Sequence, residues 1–124
     1  MVTAILVTHG LLGGELIRAA ETILGKQDGL AALSNRETSL ESLEERVRAL
    51  LGPGTDPVYL FVDLVGGSCC HSALLLARRD SRVRVIAGIN LPMLLEFLHH
   101  RGRVSVEELS ERILQRGRDG IRAL

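Results

Sequence analysis

The sequence contains few aromatic residues: among its 124 residues there are two phenylalanines, one tyrosine and no tryptophan. Platforms that stack nucleic-acid bases are built from aromatic rings. Basic and acidic residues number 15 each, so there is no net charge that would attract nucleic acid or an anionic membrane. The composition therefore argues against a nucleic-acid-binding protein, and also against a carbohydrate site lined by aromatic rings.

Long apolar runs are also absent. Runs such as Ala4–Val7 and Leu91–Leu95 fall far short of the roughly 20 residues that a membrane-spanning helix needs. The N-terminus has neither the basic lead nor the cleavage site of a signal peptide. The two cysteines, Cys69 and Cys70, are adjacent, which excludes an ordinary cross-linking disulfide between them. These absences predict a cytoplasmic protein without direct membrane insertion.

The apolar content is sufficient for a hydrophobic core, at 46% of residues. We find no internal repeat, low-complexity tract or linker, so residues 1–124 are predicted to form one domain. Apolar runs of strand length alternate with segments of helical periodicity. The predicted strands are Ala4–Thr8, Leu30–Leu33, Val58–Leu64 and Val83–Ala87.

Local signals predict where the helices begin and end. Thr38 and Glu41 have the spacing of a capping box before the second helix. Gly117 and Gly120 are predicted to end the last helix before residues 121–124. The predicted helices are Glu15–Leu24, Leu40–Leu51, one from the Gly66–Ser68 turn to about Arg79, Pro92–His100, and one that begins at Ser105.

This alternation of elements (β-α-β-α-β-α-β-α-α) predicts an α/β fold, a three-layer sandwich with a mainly parallel four-stranded sheet covered by helices on both faces. We expect the strand order 2-1-3-4, as in flavodoxin-like sheets. Ligands of such sheets bind beyond the carboxyl ends of the strands. Polar residues that directly follow a strand are therefore the candidates for chemistry.

His9 and Gly10 directly follow the first strand, and Asp63 lies near the end of the third. Free backbone N–H groups at a nearby helix start favour an anion, and a neutral imidazole is a competent nucleophile towards phosphorus. In the 2-1-3-4 order Asp63 approaches His9, where a carboxylate would fix the tautomer and free the other ring nitrogen to attack. The alternatives are a histidine that fills a turn and an aspartate that caps a helix.

Two further loops at this edge are candidate parts of an anion site. Gly66 and Gly67 let the backbone approach a ligand closely, and Ser68 either caps the third helix or binds phosphate oxygens. Asn90 follows the fourth strand and either lines the site or caps the next helix. We predict Gly10, Gly67 and Ser68 as phosphate-binding residues and Asn90 as a site-lining residue.

Cys69, Cys70 and His71 together suggest a metal or redox site. There is no CxxC pair and no second cluster in the sequence, so we predict no metal site and expect buried or capping roles for these residues. His99 and His100 end an amphipathic helix, where histidine suits the helix dipole. Both are predicted to be structural or surface residues.

Three motifs occur in order after strands one, three and four: Thr-His-Gly at Thr8–Gly10, Val-Asp-Leu-x-Gly-Gly-Ser at Val62–Ser68, and Gly-Ile-Asn-Leu-Pro-Met-Leu at Gly88–Leu94. Together they resemble the IIA component of the mannose/fructose/sorbose family of the bacterial sugar phosphotransferase system. The resemblance extends over nearly the whole chain.

The resemblance implies that His9 receives a phosphoryl group from the phosphohistidine of the general carrier HPr and hands it to an EIIB component, which phosphorylates sugar during uptake. It also implies that Asp63 orients His9 and that Ser68 lies near the phosphoryl group. Phosphoryl transfer between imidazoles needs positioning and donors for the equatorial oxygens, so no cofactor is expected. The family forms homodimers through a C-terminal strand, which would be residues 120–124 here.

The sequence departs from the family pattern at one place. After Gly-Gly-Ser the family commonly has Pro-Phe-Asn, where this chain has Cys69, Cys70 and His71. The residues predicted to face the phosphate are kept, and the start of the third helix is altered.

Other functions fit parts of the pattern. A regulatory phosphoprotein would use the same His9 chemistry without a role in transport. A small tetrapyrrole metal chelatase also has His-Gly after its first strand, but it needs a further histidine in the same cleft, for which His71 is poorly placed. The remaining alternatives are a plain phosphate- or carboxylate-binding module and a subunit partner in a relative of dihydroxyacetone kinase.

Overall fold

A computed structural model describes residues 1–36 and 40–124. Four parallel strands form one sheet in the order β2-β1-β3-β4. This arrangement confirms the predicted α/β class and the 2-1-3-4 order. The strands are β1 (Thr3–Thr8), β2 (Leu30–Ser34), β3 (Val58–Val62) and β4 (Val83–Ala87).

Helices cover both faces of the sheet because alternate residues of the central strands point to opposite sides. Ala4 and Leu6 of β1 belong to one core cluster, and Ile5 and Val7 belong to the other. Buried residues of α1, α4 and α5 join the first cluster, and those of α2 and α3 join the second. The helices are α1 (Leu12–Leu24), α2 (Leu40–Leu51), α3 (Gly67–Arg79), α4 (Leu91–His100) and α5 (Val106–Asp119).

The three aromatic residues pack together in the first cluster. Tyr59 and Phe61 of β3 have ring centroids 5.7 Å apart, and Phe97 of α4 meets both rings edge-on. The Tyr59 hydroxyl lies 2.7 Å from Ser110 Oγ and donates to the Val106 carbonyl at 3.0 Å. The few aromatic side chains are thus used in the core, where they fasten α4 and α5 to the sheet.

Several element boundaries differ from those predicted. The first helix begins at Leu12, three residues before the predicted Glu15, because the buried Thr8 hydroxyl accepts the Gly13 N–H at 2.8 Å and supports an earlier first turn. Strand β3 ends at Val62, so Asp63 lies in the turn that follows. The predicted capping box of Thr38 with Glu41 lies outside the residues whose placement is described.

The prediction that Gly117 ends the last helix is wrong, since α5 continues through it to Asp119. A Cβ atom at Gly117 would lie only 2.5 Å from Met93 Cγ, so this glycine serves the close packing of α5 against α4. Gly120 does follow the end of the helix. Residues 121–124 form neither helix nor strand in this single chain, and Ile121 and Leu124 are exposed. Pairing of this tail with a second subunit stays a prediction.

Within the described ranges, no helix combines the length and apolar character required to cross a bilayer. The longest, α5, has 14 residues.

Candidate functional site

The sheet register brings the ends of β1 and β3 together. Val7 pairs with Val62, so the residues just beyond these strands meet at the carboxyl edge of the sheet. His9 follows the last residue of β1, and Asp63 follows the last residue of β3. The structure therefore joins the two residues that were predicted to form the centre of the site.

Asp63 holds His9 through both its backbone and its ring. Asp63 Oδ2 accepts the His9 backbone N–H at 2.9 Å and lies 2.9 Å from His9 Nδ1. The second oxygen, Oδ1, is 3.2 Å from the same ring nitrogen. The Asp63 side chain is only 9% exposed, whereas that of His9 is 45% exposed. A largely buried carboxylate thus anchors an accessible imidazole.

The pKa of Asp63 lies below its usual value. Burial acts to raise it, but the hydrogen bonds from the His9 backbone and ring and the charge of His9 together outweigh burial. Asp63 is therefore ionised at neutral pH. An ionised carboxylate only accepts hydrogen bonds, so the proton of a neutral His9 sits on Nδ1 and the Nε2 lone pair is free.

The start of α3 lies beside this free nitrogen. A Cβ atom added at Gly67 would be 3.9 Å from His9 Cε1 and 4.0 Å from Nε2. Gly66 and Gly67 both have positive φ, +85° and +78°, which glycine adopts without strain. No side chain among the described residues caps the start of α3. The first backbone N–H groups of α3 are therefore available to an anion, which the helix dipole also favours.

The other predicted phosphate-binding residues lie in the turn after β1 and in the first turn of α3. Gly10 has φ +55° and turns the chain from β1 towards α1. A cavity of about 380 Å³ beside this turn is lined by residues that include Gly10, Leu11, Arg18 and Ser34. Ser68 occupies the first turn of α3 and is half-buried.

Asn90 has a structural role that uses both polar atoms of its side-chain amide. Its Oδ1 accepts the Met93 N–H at 3.1 Å and so caps α4, and its Nδ2 donates to the Gly117 carbonyl at 3.1 Å. Both polar atoms are thus engaged between α4 and α5. The capping alternative explains this residue without a role in lining the site.

His99 and His100 lie away from His9, at the end of α4. With Glu96, Arg116 and other residues they line a separate cavity of about 330 Å³. His100 Nε2 is 3.3 Å from a carboxylate oxygen of the buried Glu96. Their surroundings agree with the structural or surface role predicted for them.

One member of the site was not predicted. Cys69, in the first turn of α3, is fully buried and brings its Sγ next to His9 and Asp63. One potential ligand atom from each of these three residues lies within 4.8 Å of the others. Burial raises the pKa of the Cys69 thiol, and the charge of Asp63 raises it further. Two features of the sequence pointed to this position: the departure from the family pattern, and the Cys69, Cys70 and His71 run that suggested a metal or redox site.

Cys70 and His71 do not belong to this cluster. Cys70 packs in the second core cluster, as Cys69 also does, but its thiol lies outside the group with His9 and Asp63, and His71 is exposed on α3. In the described part of the chain, no second histidine joins His9 in a group of potential metal ligands. The further histidine that the chelatase alternative needs is therefore missing from this cleft as described.

Exposed apolar side chains follow both His9 and Asp63 closely in the sequence. Leu11 and Leu12 follow it at the start of α1, and Leu64 and Val65 follow Asp63. Their exposed fractions are 65%, 44%, 50% and 82%. Clustered exposed apolar residues beside a reactive group are typical of a surface that contacts other proteins.

Comparison with known proteins gives the same family over most of the chain. The model of the PTS system fructose IIA component matches residues 3–114. The PTS system mannose-specific EIIAB component of Escherichia coli strain K12 is 34% identical over 100% of the chain. The chain spans 40% of the length of that relative.

Two further relatives match over nearly their whole length. The PTS system sorbose-specific EIIA component of Klebsiella pneumoniae is 28% identical, over 91% of this chain and 84% of that protein. The solved structure of the mannose/sorbose specific IIA subunit of the phosphotransferase system from Enterococcus faecalis superposes with a TM-score of 0.88. It is 27% identical and covers 98% of this chain and 93% of that one.

Proposed function

The chain belongs to the PTS system fructose IIA component family, and on this premise we propose that it is a phosphocarrier that accepts a phosphoryl group on His9 Nε2. The group comes from phospho-HPr and passes to an EIIB component for sugar uptake. The observation that carries the proposal is the pairing of His9 Nδ1 with the ionised Asp63, which leaves Nε2 as the free nucleophile.

The transfer step balances without a cofactor. The Nε2 lone pair attacks phosphorus, the new N–P bond forms, and the P–N bond to the donor imidazole breaks and leaves its electron pair on that ring. His9 keeps its Nδ1 proton and becomes a cationic phosphohistidine. Asp63 stabilises that positive charge at 2.9 Å, and it is already in place before the reaction begins.

The phosphoryl oxygens need hydrogen-bond donors of their own. Backbone N–H groups at the start of α3 supply them, since Gly67 lies beside Nε2 and no described side chain caps the helix. Ser68 adds a hydroxyl in the same turn, and a Cβ atom at Gly10, next to His9, would meet nothing within 4 Å. These residues form the proposed phosphate-binding set.

The exposed apolar residues Leu11, Leu12, Leu64 and Val65 supply a docking surface for the two phosphoryl partners. A carrier must release each partner after transfer, so a small surface suits it better than a large permanent interface. We also propose a homodimer, as the family resemblance implies.

The proposal is tested by incubating the protein with phosphoenolpyruvate, enzyme I and HPr and measuring its intact mass. We expect one acid-labile phosphoryl group on the wild type and none on His9→Ala. The matched control is His71→Ala, which removes an exposed histidine of α3 and should be phosphorylated like the wild type. If His9→Ala still gained the group, or if the wild type gained none from a matched phosphodonor, the proposal would be wrong.

A further inference from the structure

We propose that His9, Asp63 and Cys69 form a Zn²⁺-binding site, and that the bound ion prevents phosphorylation of His9. The first part depends only on the cluster itself. The second part rests on the proposed phosphocarrier function.

The geometry is close to that of a zinc site. The three candidate ligand atoms lie within 4.8 Å of one another. Zn–N and Zn–S bonds of about 2.0–2.3 Å in a tetrahedron place neighbouring ligand atoms about 3.5 Å apart. The ligands must therefore approach by roughly 1 Å at the widest separation. The His9 side chain is 45% exposed and lies on a loop after β1, so it can contribute to this movement.

The two other ligands are already fixed. Asp63 is mostly buried, and Cys69 is fully buried at the start of α3. The Cys69 carbonyl accepts a hydrogen bond from Ser72 Oγ at 3.0 Å, which holds the first turn of the helix. The buried positions of these two ligands and the contact of Asp63 with the His9 ring reduce the entropy that metal binding must remove.

The set of donors selects the metal. Thiolate, imidazole and carboxylate are the ligands that Zn²⁺ takes in proteins, whereas Mg²⁺ and Ca²⁺ prefer oxygen ligands alone. Three protein ligands leave a fourth position to water. On binding, the Cys69 S–H bond breaks, its proton goes to solvent and its electron pair binds the ion.

Metal binding and phosphorylation compete for the same imidazole. An ion on Nε2 would occupy the lone pair that attacks phosphorus. An ion on Nδ1 would displace the proton and the hydrogen bond through which Asp63 orients the ring. A phosphoryl group on His9 would in turn make the ring a poor ligand. Each state therefore excludes the other.

Zinc affinity is measured on the full, unphosphorylated chain by competition with a chromophoric chelator. We expect one zinc ion per chain, and we expect Cys69→Ser to lower the zinc affinity by at least about tenfold. Removing a residue that only supports a metal ligand already lowers metal affinity by about 10–100-fold. Cys70→Ser is the matched control, since Cys70 is the adjacent buried cysteine whose thiol lies outside the cluster. Its affinity should equal that of the wild type.

Cobalt substitution gives a second readout. The wild type and Cys70→Ser should show thiolate-to-Co²⁺ charge-transfer absorption, and Cys69→Ser should lack it. Thermal melting checks that each variant is folded, and Cys69→Ala replaces Cys69→Ser if the serine variant fails that check. Absence of zinc binding to the wild type, or equal affinity in a folded Cys69 variant, would overturn the proposal.

Purified phospho-HPr then tests whether zinc binding prevents phosphorylation of His9. At a Zn²⁺ concentration that loads the wild type but not Cys69→Ser, phosphorylation of the wild type should be blocked. Cys69→Ser should keep its own zinc-free rate, which controls for any effect of zinc on the donor. If the zinc-loaded wild type were phosphorylated as fast as the zinc-free protein, the proposal that zinc prevents phosphorylation would be wrong. If zinc binds through Cys69 but phospho-HPr never phosphorylates the metal-free chain, the zinc site stands and the phosphocarrier function fails.

Discussion

Asp63 Oδ2 lies 2.9 Å from two nitrogens of His9, the backbone N and the ring Nδ1. The backbone contact fixes where the residue sits at the end of β1, and the ring contact fixes how the imidazole is turned. One carboxylate oxygen thus sets both the position and the orientation of the candidate nucleophile.

Replacing Asp63 with Asn should slow phosphorylation of His9 by at least about 100-fold, the lower range for losing one preorganised electrostatic contact to the transition state. The amide Oδ1 can still accept the His9 backbone N–H, so the fold should persist. The ring, however, loses the negative charge that fixes its tautomer and stabilises its cationic product. Rates are measured by quenched-flow mass spectrometry with purified phospho-HPr. The control Asp119→Asn, at the end of α5, should react at the wild-type rate. If Asp63→Asn reacted within a few-fold of the wild-type rate, the role assigned to Asp63 would be wrong.

The same contact predicts a pH dependence of stability. Since the pKa of Asp63 is lower in the folded chain than its usual 3.8, the stabilisation from ionised Asp63 is fully present above that usual value. It is lost as the pH falls through the lowered folded pKa. We expect the free energy of unfolding of the wild type to exceed that of Asp63→Asn at pH 6, and the gap to shrink on acidification. Chemical denaturation at several pH values measures this gap, and a gap that widened in acid would refute the assigned direction.

Gly67→Ala should impair phosphorylation beyond its effect on stability. A methyl group there would sit 3.9 Å from His9 Cε1 and 4.0 Å from Nε2, in the space where the phosphoryl group must lie. Displacement of the phosphoryl group by this methyl group should reduce the phosphorylation rate by about 10–100-fold. Positive φ adds a strain of about 1–3 kcal/mol. Gly25→Ala is the control. Gly25 has φ +84°, so alanine there is strained in the same way, and its Cβ would have no atom within 4 Å. Gly25 lies at the end of α1, remote from His9. Equal rates in the two variants would show that Gly67 has no part in the site.

Gly117→Ala should lower the free energy of unfolding by about 1–3 kcal/mol, as overpacking does in a tight core. The added methyl would meet Met93 Cγ at 2.5 Å and force α5 away from α4. Gly14→Ala is the control, because that helical glycine has no atom within 4 Å of its Cβ position and alanine favours a helix by up to about 1 kcal/mol. Urea denaturation should rank the stabilities Gly14→Ala, wild type, Gly117→Ala. A stabilised Gly117→Ala would mean that the α4–α5 contact is looser than described.

The fold was largely predictable because its signals are local. Each strand is a short apolar run such as Val83–Ala87, and each intervening helix has its own apolar periodicity. The approach of Asp63 to His9 was also predictable, since both follow neighbouring strands of a parallel sheet.

What the sequence could not reveal depends on contacts between distant residues. Glycine is a residue that commonly ends helices. Only the contact of Gly117 with Met93, 24 positions earlier, shows why a glycine is needed inside α5. Cys69 was considered only with its neighbours Cys70 and His71, yet its partners are His9 and Asp63. These ligands come from three separate loops and helix starts, so no spacing motif could have revealed the cluster.

The position of the phosphoryl group on the His9 ring distinguishes attack by Nε2 from attack by Nδ1. The protein is labelled with ¹⁵N, phosphorylated by phospho-HPr, and studied by ¹H–¹⁵N correlation of the imidazole nitrogens, which distinguishes the two phosphohistidine isomers. The account predicts phosphate on Nε2 with the proton retained on Nδ1, since Asp63 holds Nδ1 at 2.9 Å. Phosphate on Nδ1, on another residue, or on none would contradict it.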